Sequence, residues 1–193
     1  MTDPFARFAS WYAEAQKAIA EDPNAMVLST VGADGRPSAR VVLMKGFDTE
    51  GFVFYTNLES RKGRELDAHP AAALNFYFPP LHRQVRVEGL AHRVSSQEAD
   101  RYFATRPRGS QVSAWASAQS APLESRARLE ARVAEVEARY RGQPVPRPPH
   151  WSGFRLVPDL IEFWEGRENR LHEREVFRRE RPGAPWTHQH LYP

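Results

Sequence analysis

AMVLSTVGADGRPSARVVLMKGFDTEGFVFYT, residues 25–56, decides the fold. Two strand-like runs, 25–31 and 38–45, flank a turn through Gly32 to Gly35, and a third, GFVFYT at 51–56, follows a polar turn at 48–51. β-Branched and aromatic residues bounded by Gly, Asp and Pro mark strands joined by tight turns. Turns this short imply antiparallel neighbours, because a parallel pair needs a crossover of a dozen or more residues. Within RVVLMK, alternation puts Arg40, Val42 and Met44 on one face and Val41, Leu43 and Lys45 on the other.

On the N-terminal side the period changes. Asp3 before Pro4 is a helix start, and Phe5, Phe8, Trp11, Tyr12, Ala15 and Ile19 recur at three- and four-residue spacing, predicting an amphipathic helix over 3–21. On the other side, Ser60 caps a short helix to about Leu66, and AALNFYF (72–78) and QVRVEGLAHRV (84–94) bring the strands before mid-chain to five. Ser95 with Glu98 forms a capping box for a helix carrying Tyr102, Phe103 and Arg106. Leu123, Ala127, Val133, Val136 and Tyr140 mark a longer helix ending at Gly142. After the connector PVPRPP (144–149), closing strands fill 151–193: GFRLV, LIEFW, LHEREVF and a short one near Trp186. Many short antiparallel strands with few helices predict a mainly β barrel, since closure removes exposed edges. The whole chain, 1–193, reads as one domain.

Composition narrows the function. No apolar run reaches the ~20 residues that span a bilayer, and the N-terminus lacks a secretory signal, so no membrane role and a cytoplasmic location are expected. The absence of cysteine excludes disulfides and thiolate chemistry. A net charge of +3, from 27 Lys+Arg against 24 Asp+Glu, points to local basic sites for phosphorylated small molecules and not to a nucleic-acid surface. The seven histidines are scattered, His188 and His190 stand one residue apart in the tail, and no zinc, Walker or nucleophile-elbow motif occurs, so no metal is expected.

Two segments carry anion-binding chemistry. SRKG at 60–63 joins a strand end to a helix start, where N–H groups, Arg61 and Lys62 favour a phosphate; by itself it reads more readily as a capped helix with solvated cations. RPRGSQVSAWASAQS at 106–120 gathers arginines, hydroxyls and amides around one Trp. Tyr102, Arg106 and Ser110 follow at intervals of four, the first two on one helix face, and could hold phosphate oxygens.

Together with FYTNLESRKG (54–63), RQVRVEG (83–89) and EFWEGRENRLHER (162–174), these segments resemble the pyridoxamine 5'-phosphate oxidase family from about Asp3 to Pro193. The resemblance implies an FMN-binding split β-barrel, antiparallel and homodimeric, with two flavin sites at the subunit interface. It implies FMN contacts from Arg40, Val41, Val42, Leu43, Met44, Lys45, Tyr55, Thr56, Arg61, Lys62, Gln84, Gln119 and Ser120, and from Trp164 and Arg174 of the second subunit. Lys45, Tyr102, Arg106 and Ser110 match the substrate-phosphate pocket. Arg170, Leu171 and His172 match the triplet over the substrate ring, with Arg170 and His172 orienting it for catalysis. The implied reaction oxidises pyridoxamine or pyridoxine 5'-phosphate to pyridoxal 5'-phosphate, with O2 as acceptor and H2O2 as product. A flavin oxidase of another aromatic substrate, as in phenazine biosynthesis, is the alternative; a non-catalytic flavin or vitamin B6 carrier is a further one. The chain departs from the family's usual residues at Met44 (leucine), His82 (glutamate), Ser113 (glycine), Glu165 (glutamine), Glu173 (aspartate) and His190 (arginine). Of these, Ser113 bears on backbone conformation and Glu165 on charge near the flavin.

Overall fold

The structure, a computed structural model, describes residues 3–193. It is mainly β, as the turn spacing predicts. Helix α1 (Pro4–Ala18) precedes strands β1 (Ala25–Val31), β2 (Pro37–Leu43), β3 (Gly46–Asp48) and β4 (Gly51–Asn57). Helix α2 (Arg61–Ala68) leads to β5 (Ala71–Phe78) and β6 (Arg83–Arg93). Helices α3 (Ser96–Thr105), α4 (Arg108–Ala116) and α5 (Arg126–Arg139) come next, then β7 (Trp151–Glu165), β8 (Glu173–Arg178) and β9 (Thr187–His190). All strands pair antiparallel, in the order β2-β1-β5-β6-β7-β4-β3, with β8 on β7 and β9 on β8.

The split in the sheet comes from β7. Its first half, Trp151 to Leu156, pairs with β4, and its second half, Leu160 to Glu165, pairs with β8, while β6 follows it along the other edge. GFRLV and LIEFW, expected as two strands, are therefore one. Pro158 would normally end a central strand, but here a bulge between Glu88 and Gly89 absorbs it. Gly89 makes this possible: a Cβ there would lie 2.1 Å from the Val157 carbonyl oxygen.

Local signals explain the other elements. Asp3 caps α1 by accepting from Phe5 N, but the helix ends at Ala18, three residues short of expectation, because Ile19 turns extended. Phe5, Phe8, Trp11 and Ala15 are its buried face. Phe8 sits edge-on to Phe52 and Phe76 at 4.9 and 5.0 Å, the centre of the main core inside the curved sheet. Burial of a side chain like Phe8 contributes roughly 1.5–3 kcal/mol. The short β3 and all of α4 were not anticipated. The helix expected to carry Tyr102, Phe103 and Arg106 holds the first two only: α3 stops at Thr105, Arg106 is its extended C-cap, and Pro107 disfavours helix at the residue before it. Helix α4 then packs Val112 and Ala116 against Phe103, Val136 and Trp151 in a second core. Ser125, not the region of Leu123, caps α5.

Candidate functional site

A cleft of about 600 Å³ opens where β2, β4, α2, α3, α4 and the start of β7 meet. It gathers Arg40, Val41, Val42, Leu43, Lys45, Tyr55, Thr56, Lys62, Tyr102, Arg106 and Gln119 from the sequence-derived set. Asn57, Ser113, Ala114, Ser117 and Trp151 complete the lining. Residues 40 and 119 are distant in sequence; the β1–β2 hairpin and the loop after α4 bring them to one place.

On one part of the wall, Ser60 caps α2, accepting from Gly63 N and donating to the Asn57 carbonyl. This fixes Arg61 and Lys62 on the first turn of the helix. Gly63 is obligatory, since a Cβ would lie 2.2 Å from the Leu58 carbonyl oxygen. Lys62 Nζ donates to Thr56 Oγ1 at 3.2 Å and Gln119 Oε1 at 3.3 Å. Among the described residues no carboxylate pairs with Lys62 or Lys45 within 4.0 Å. Burial, then the charge of Arg40, lowers the Lys62 pKa.

Arg40 is engaged differently. Its guanidinium donates to Thr30 and Ser38 hydroxyls and to Glu65 Oε2. Glu65 Oε1 accepts from Arg61 at 2.8 Å. Burial alone would raise the Glu65 carboxyl, but hydrogen bonds from Thr30, Ser38 and Arg61, with the Arg61 charge, bring it down to about 2. Two cations, Arg40 and Arg61, thus share one carboxylate, while Lys62 stands beside them on hydroxyl and amide oxygens, and the wall stays positive. Arg61 and Ser120 stand beside the cleft without lining it: Ser120, at φ 73°, accepts from Arg61 N at 3.1 Å.

Elsewhere on the wall the side chains are aromatic. Tyr55 and Tyr102 stack with centroids 3.9 Å apart, and Trp151 lies parallel to Tyr55 at 5.3 Å. Burial raises both tyrosine pKa values, that of Tyr55 to about 12, so both remain phenols that can donate a hydrogen bond. The Arg106 guanidinium lies 4.7 Å over Trp151, and its buried NH1 has no partner among the described residues. A buried, unpartnered guanidinium nitrogen calls for an anion or polar ligand.

Several sequence-derived residues fall elsewhere. Met44 is buried in the main core, and Ser110 on α4 does not line the cleft. Gln84, Trp164 and Arg174 form a cross-strand row on β6, β7 and β8, a second cluster. His172 joins it, its ring 4.7 Å from Trp164 and its Nδ1 accepting from Arg167 N. Arg174 donates to the buried Glu162 at 2.8 Å and to the Tyr192 carbonyl. Arg170 adopts φ 61° just before Leu171, which is 70% exposed.

Two departures resolve structurally. Ser113 is helical and donates to the Gly109 carbonyl, so no glycine conformation is demanded there. Glu165 pairs with Arg83 at 3.1 Å and Arg167 at 3.0 Å, so its added charge is compensated locally. Glu65, the hub of the positive wall, escaped sequence reading; its spacing of four from Arg61 was the available signal.

Residues 12–140 match the family model described as pyridoxamine 5'-phosphate oxidase. Residues 151–193 match the pyridoxine 5'-phosphate oxidase C-terminal dimerisation region. The chain is 67% identical over 191 residues to a pyridoxine/pyridoxamine 5'-phosphate oxidase from Myxococcus xanthus, covering 99% of this chain and 92% of that protein. A protein of the same name from Rubrobacter xylanophilus is 60% identical over 191 residues, with 99% and 87% covered. Among solved structures, PhzG from Burkholderia lata, in complex with tetrahydrophenazine-1-carboxylic acid, matches with a TM-score of 0.93 at 34% identity, covering 100% of this chain and 94% of that one. A related FMN binding protein from Nostoc punctiforme shares the fold, with a TM-score of 0.79 at 19% identity and full coverage of both chains.

Proposed function

Because the chain belongs to the pyridoxamine 5'-phosphate oxidase family, we propose that it is a single-domain, homodimeric FMN-dependent oxidase. Its substrates are pyridoxamine and pyridoxine 5'-phosphates, O2 is the electron acceptor, and pyridoxal 5'-phosphate and H2O2 are the products. The observation that carries this reading is a single cleft with cations at separate anchoring points: Lys62 at the start of α2, and Arg106 with an unpartnered buried nitrogen over Trp151. Two phosphorylated ligands, cofactor and substrate, suit such a donor set.

The residues fit the flavin. Arg61, Lys62, Gln119 and Ser120 would hold its phosphate and ribityl chain, with Arg40 braced by Glu65 to complete the positive wall. The backbone and side chains of residues 40–45, with Tyr55 and Thr56, would line the ring. Bound FMN supplies a two-electron acceptor. The protein's own work is positional: Lys45, Tyr102 and Arg106 anchor the substrate phosphate, and burial keeps the Arg106 side chain dry enough for a strong charge-assisted hydrogen bond. Ser110 belongs to this anchor only through a small rearrangement of α4.

Gln84, Trp164, Arg170, Leu171, His172 and Arg174 would reach the other subunit's cleft. Val41 and Leu171, exposed at 65% and 70%, are apolar side chains that such a partner would cover. The planar Arg170 guanidinium would lie over the pyridine ring, with His172 orienting it.

The likeness to PhzG supports a second reading, oxidation of a phenazine precursor, since Arg106 could also receive a carboxylate. The identities of 67% and 60% to the vitamin B6 phosphate oxidases favour the first. Both are tested by recording the visible spectrum of the FMN-loaded protein without oxygen. Bleaching by pyridoxine 5'-phosphate, with pyridoxal 5'-phosphate formed when air enters, supports the oxidase. Bleaching only by a reduced phenazine carboxylate would replace it with the second reading, and bleaching by neither would leave a carrier.

A further inference from the structure

The C-terminal strand carries a constellation that the cleft does not use. Among the described residues, one group of three metal-ligating side chains has all its ligand atoms within 4.8 Å of one another: Glu175 on β8, and His188 and His190 on β9. The strand geometry dictates this. Residues two apart on a strand share a face, and the register sets Glu175 opposite His190 and Phe177 opposite His188. His188 Nε2 lies 2.8 Å from Glu175 Oε2, and the two imidazole rings are 5.2 Å apart. His188 also rests 4.7 Å from the buried ring of Phe177, which limits its movement.

The geometry points to a divalent transition-metal site at Glu175, His188 and His190, suited to Zn2+. Two imidazole nitrogens out of three donors disfavour Mg2+ and Ca2+, which take oxygen ligands, whereas zinc accepts both imidazole and carboxylate, and three protein ligands leave a fourth position for water. Ligands on tetrahedral zinc stand about 3.3 Å apart, given Zn–N near 2.0–2.1 Å. Small side-chain rotations therefore close the set, and the metal would take the place of the contact between His188 Nε2 and Glu175 Oε2. Arg7 NH1, 2.6 Å from Glu175 Oε2, already fixes the carboxylate in the manner of an outer-shell donor, though its charge opposes the cation and would hold the affinity down. Occupancy would fasten β9 to β8 immediately before Leu191 and Tyr192, which hold the backbone and side chain of Arg174.

The test uses the full-length protein, freed of metal with a chelator and titrated with ZnCl2 by calorimetry, with thermal unfolding followed in parallel. One Zn2+ per chain is expected to bind and to raise Tm. His190→Ala, at an exposed position, and His188→Gln should each raise the dissociation constant by more than the ~100-fold that loss of an outer-shell partner can cost, and should abolish the Tm rise. No uptake by the unaltered protein, or unchanged uptake by His190→Ala, would overturn the site. That variant decides the matter alone if His188→Gln fails to fold, and neither readout depends on oxidase activity.

Discussion

Arg40 and Glu65 meet at 3.2 Å beside the cleft, and the same carboxylate oxygen accepts from Thr30 at 2.6 Å and Ser38 at 2.7 Å. With Arg61 on its other oxygen, Glu65 ties β1, β2 and α2 together. Glu65→Ala would leave Arg40 largely buried without its counter-charge, a loss expected to cost about 3 kcal/mol. Urea unfolding measures it. The carboxyl is depressed in the folded state, so its stabilising contribution is complete above the ordinary carboxylate range. It is lost as pH falls from there through about 2. Acid unfolding of Glu65→Gln should show less dependence in that window.

Lys62 interacts with hydroxyl and amide oxygens. Lys62→Ala is expected to weaken FMN binding by about 10–100-fold while leaving the fold intact, in line with the ~1.5–3 kcal/mol of a hydrogen bond to a charged group. Fluorescence titration of the apoprotein measures this. Since burial lowers its pKa, Lys62 loses its proton at a lower pH than a free lysine does. FMN affinity should therefore start to fall on the alkaline side earlier than for Lys62→Arg.

Arg106 divides cofactor from substrate. Arg106→Ala should raise KM for pyridoxine 5'-phosphate by about 10–100-fold, again the scale of a lost charged hydrogen bond, with FMN still bound at its usual affinity. Steady-state kinetics and flavin titration on the same preparation separate the two effects, and an unchanged KM removes Arg106 from the phosphate anchor.

The two-subunit site predicts complementation. Assayed at a substrate concentration below the normal KM, Arg106→Ala and His172→Ala homodimers should each be nearly inactive. Unfolded together and refolded as a mixture, they should recover about a quarter of normal activity, because half the dimers are mixed and each mixed dimer has one intact site. If both residues acted within one chain, the mixture would gain nothing.

Gly89→Ala should destabilise the protein without touching the cleft. The new Cβ meets the Val157 carbonyl oxygen at 2.1 Å and Pro158 Cα at 2.8 Å, both backbone atoms that cannot yield cheaply. A loss at or above the ~1–3 kcal/mol typical of overpacking is expected, read as a fall in Tm with KM unchanged.

The strands were legible because alternation and turn chemistry are local; β1 shows the buried and half-buried alternation that AMVLSTV announces. Helix α4 was not, since Pro107, Gly109 and several serines give it weak propensity, and it owes its existence to Val112 and Ala116 packing on residues far along the chain. Pro158 disguised β7 in the same way, because the bulge that tolerates it, with Asp159 as the extra residue opposite the Glu88–Gly89 step of β6, exists only in the pairing of the two strands. In the cleft, the cations could be named from their motifs, but Glu65, which pairs with Arg40 and Arg61, is joined to Thr30 and Ser38 only by the fold. His188 and His190 were plain in the tail; what no sequence pattern supplied was Glu175 facing them across a strand pair.

Strand β7 also works as a ruler. Trp151, at one end, belongs to the cleft wall, and Trp164, near the other, belongs to the row with Gln84 and Arg174. Thirteen residue steps, about 40 Å along the path of a pleated strand, lie between them, and each is held in place by its neighbours, Trp151 by β4 and Trp164 by β6 and β8. A lone chain therefore keeps the two halves of the proposed site permanently apart. Catalysis would become a property of encounter: dilute the enzyme below the concentration at which its copies associate, and turnover per chain should fade even though every chain stays folded.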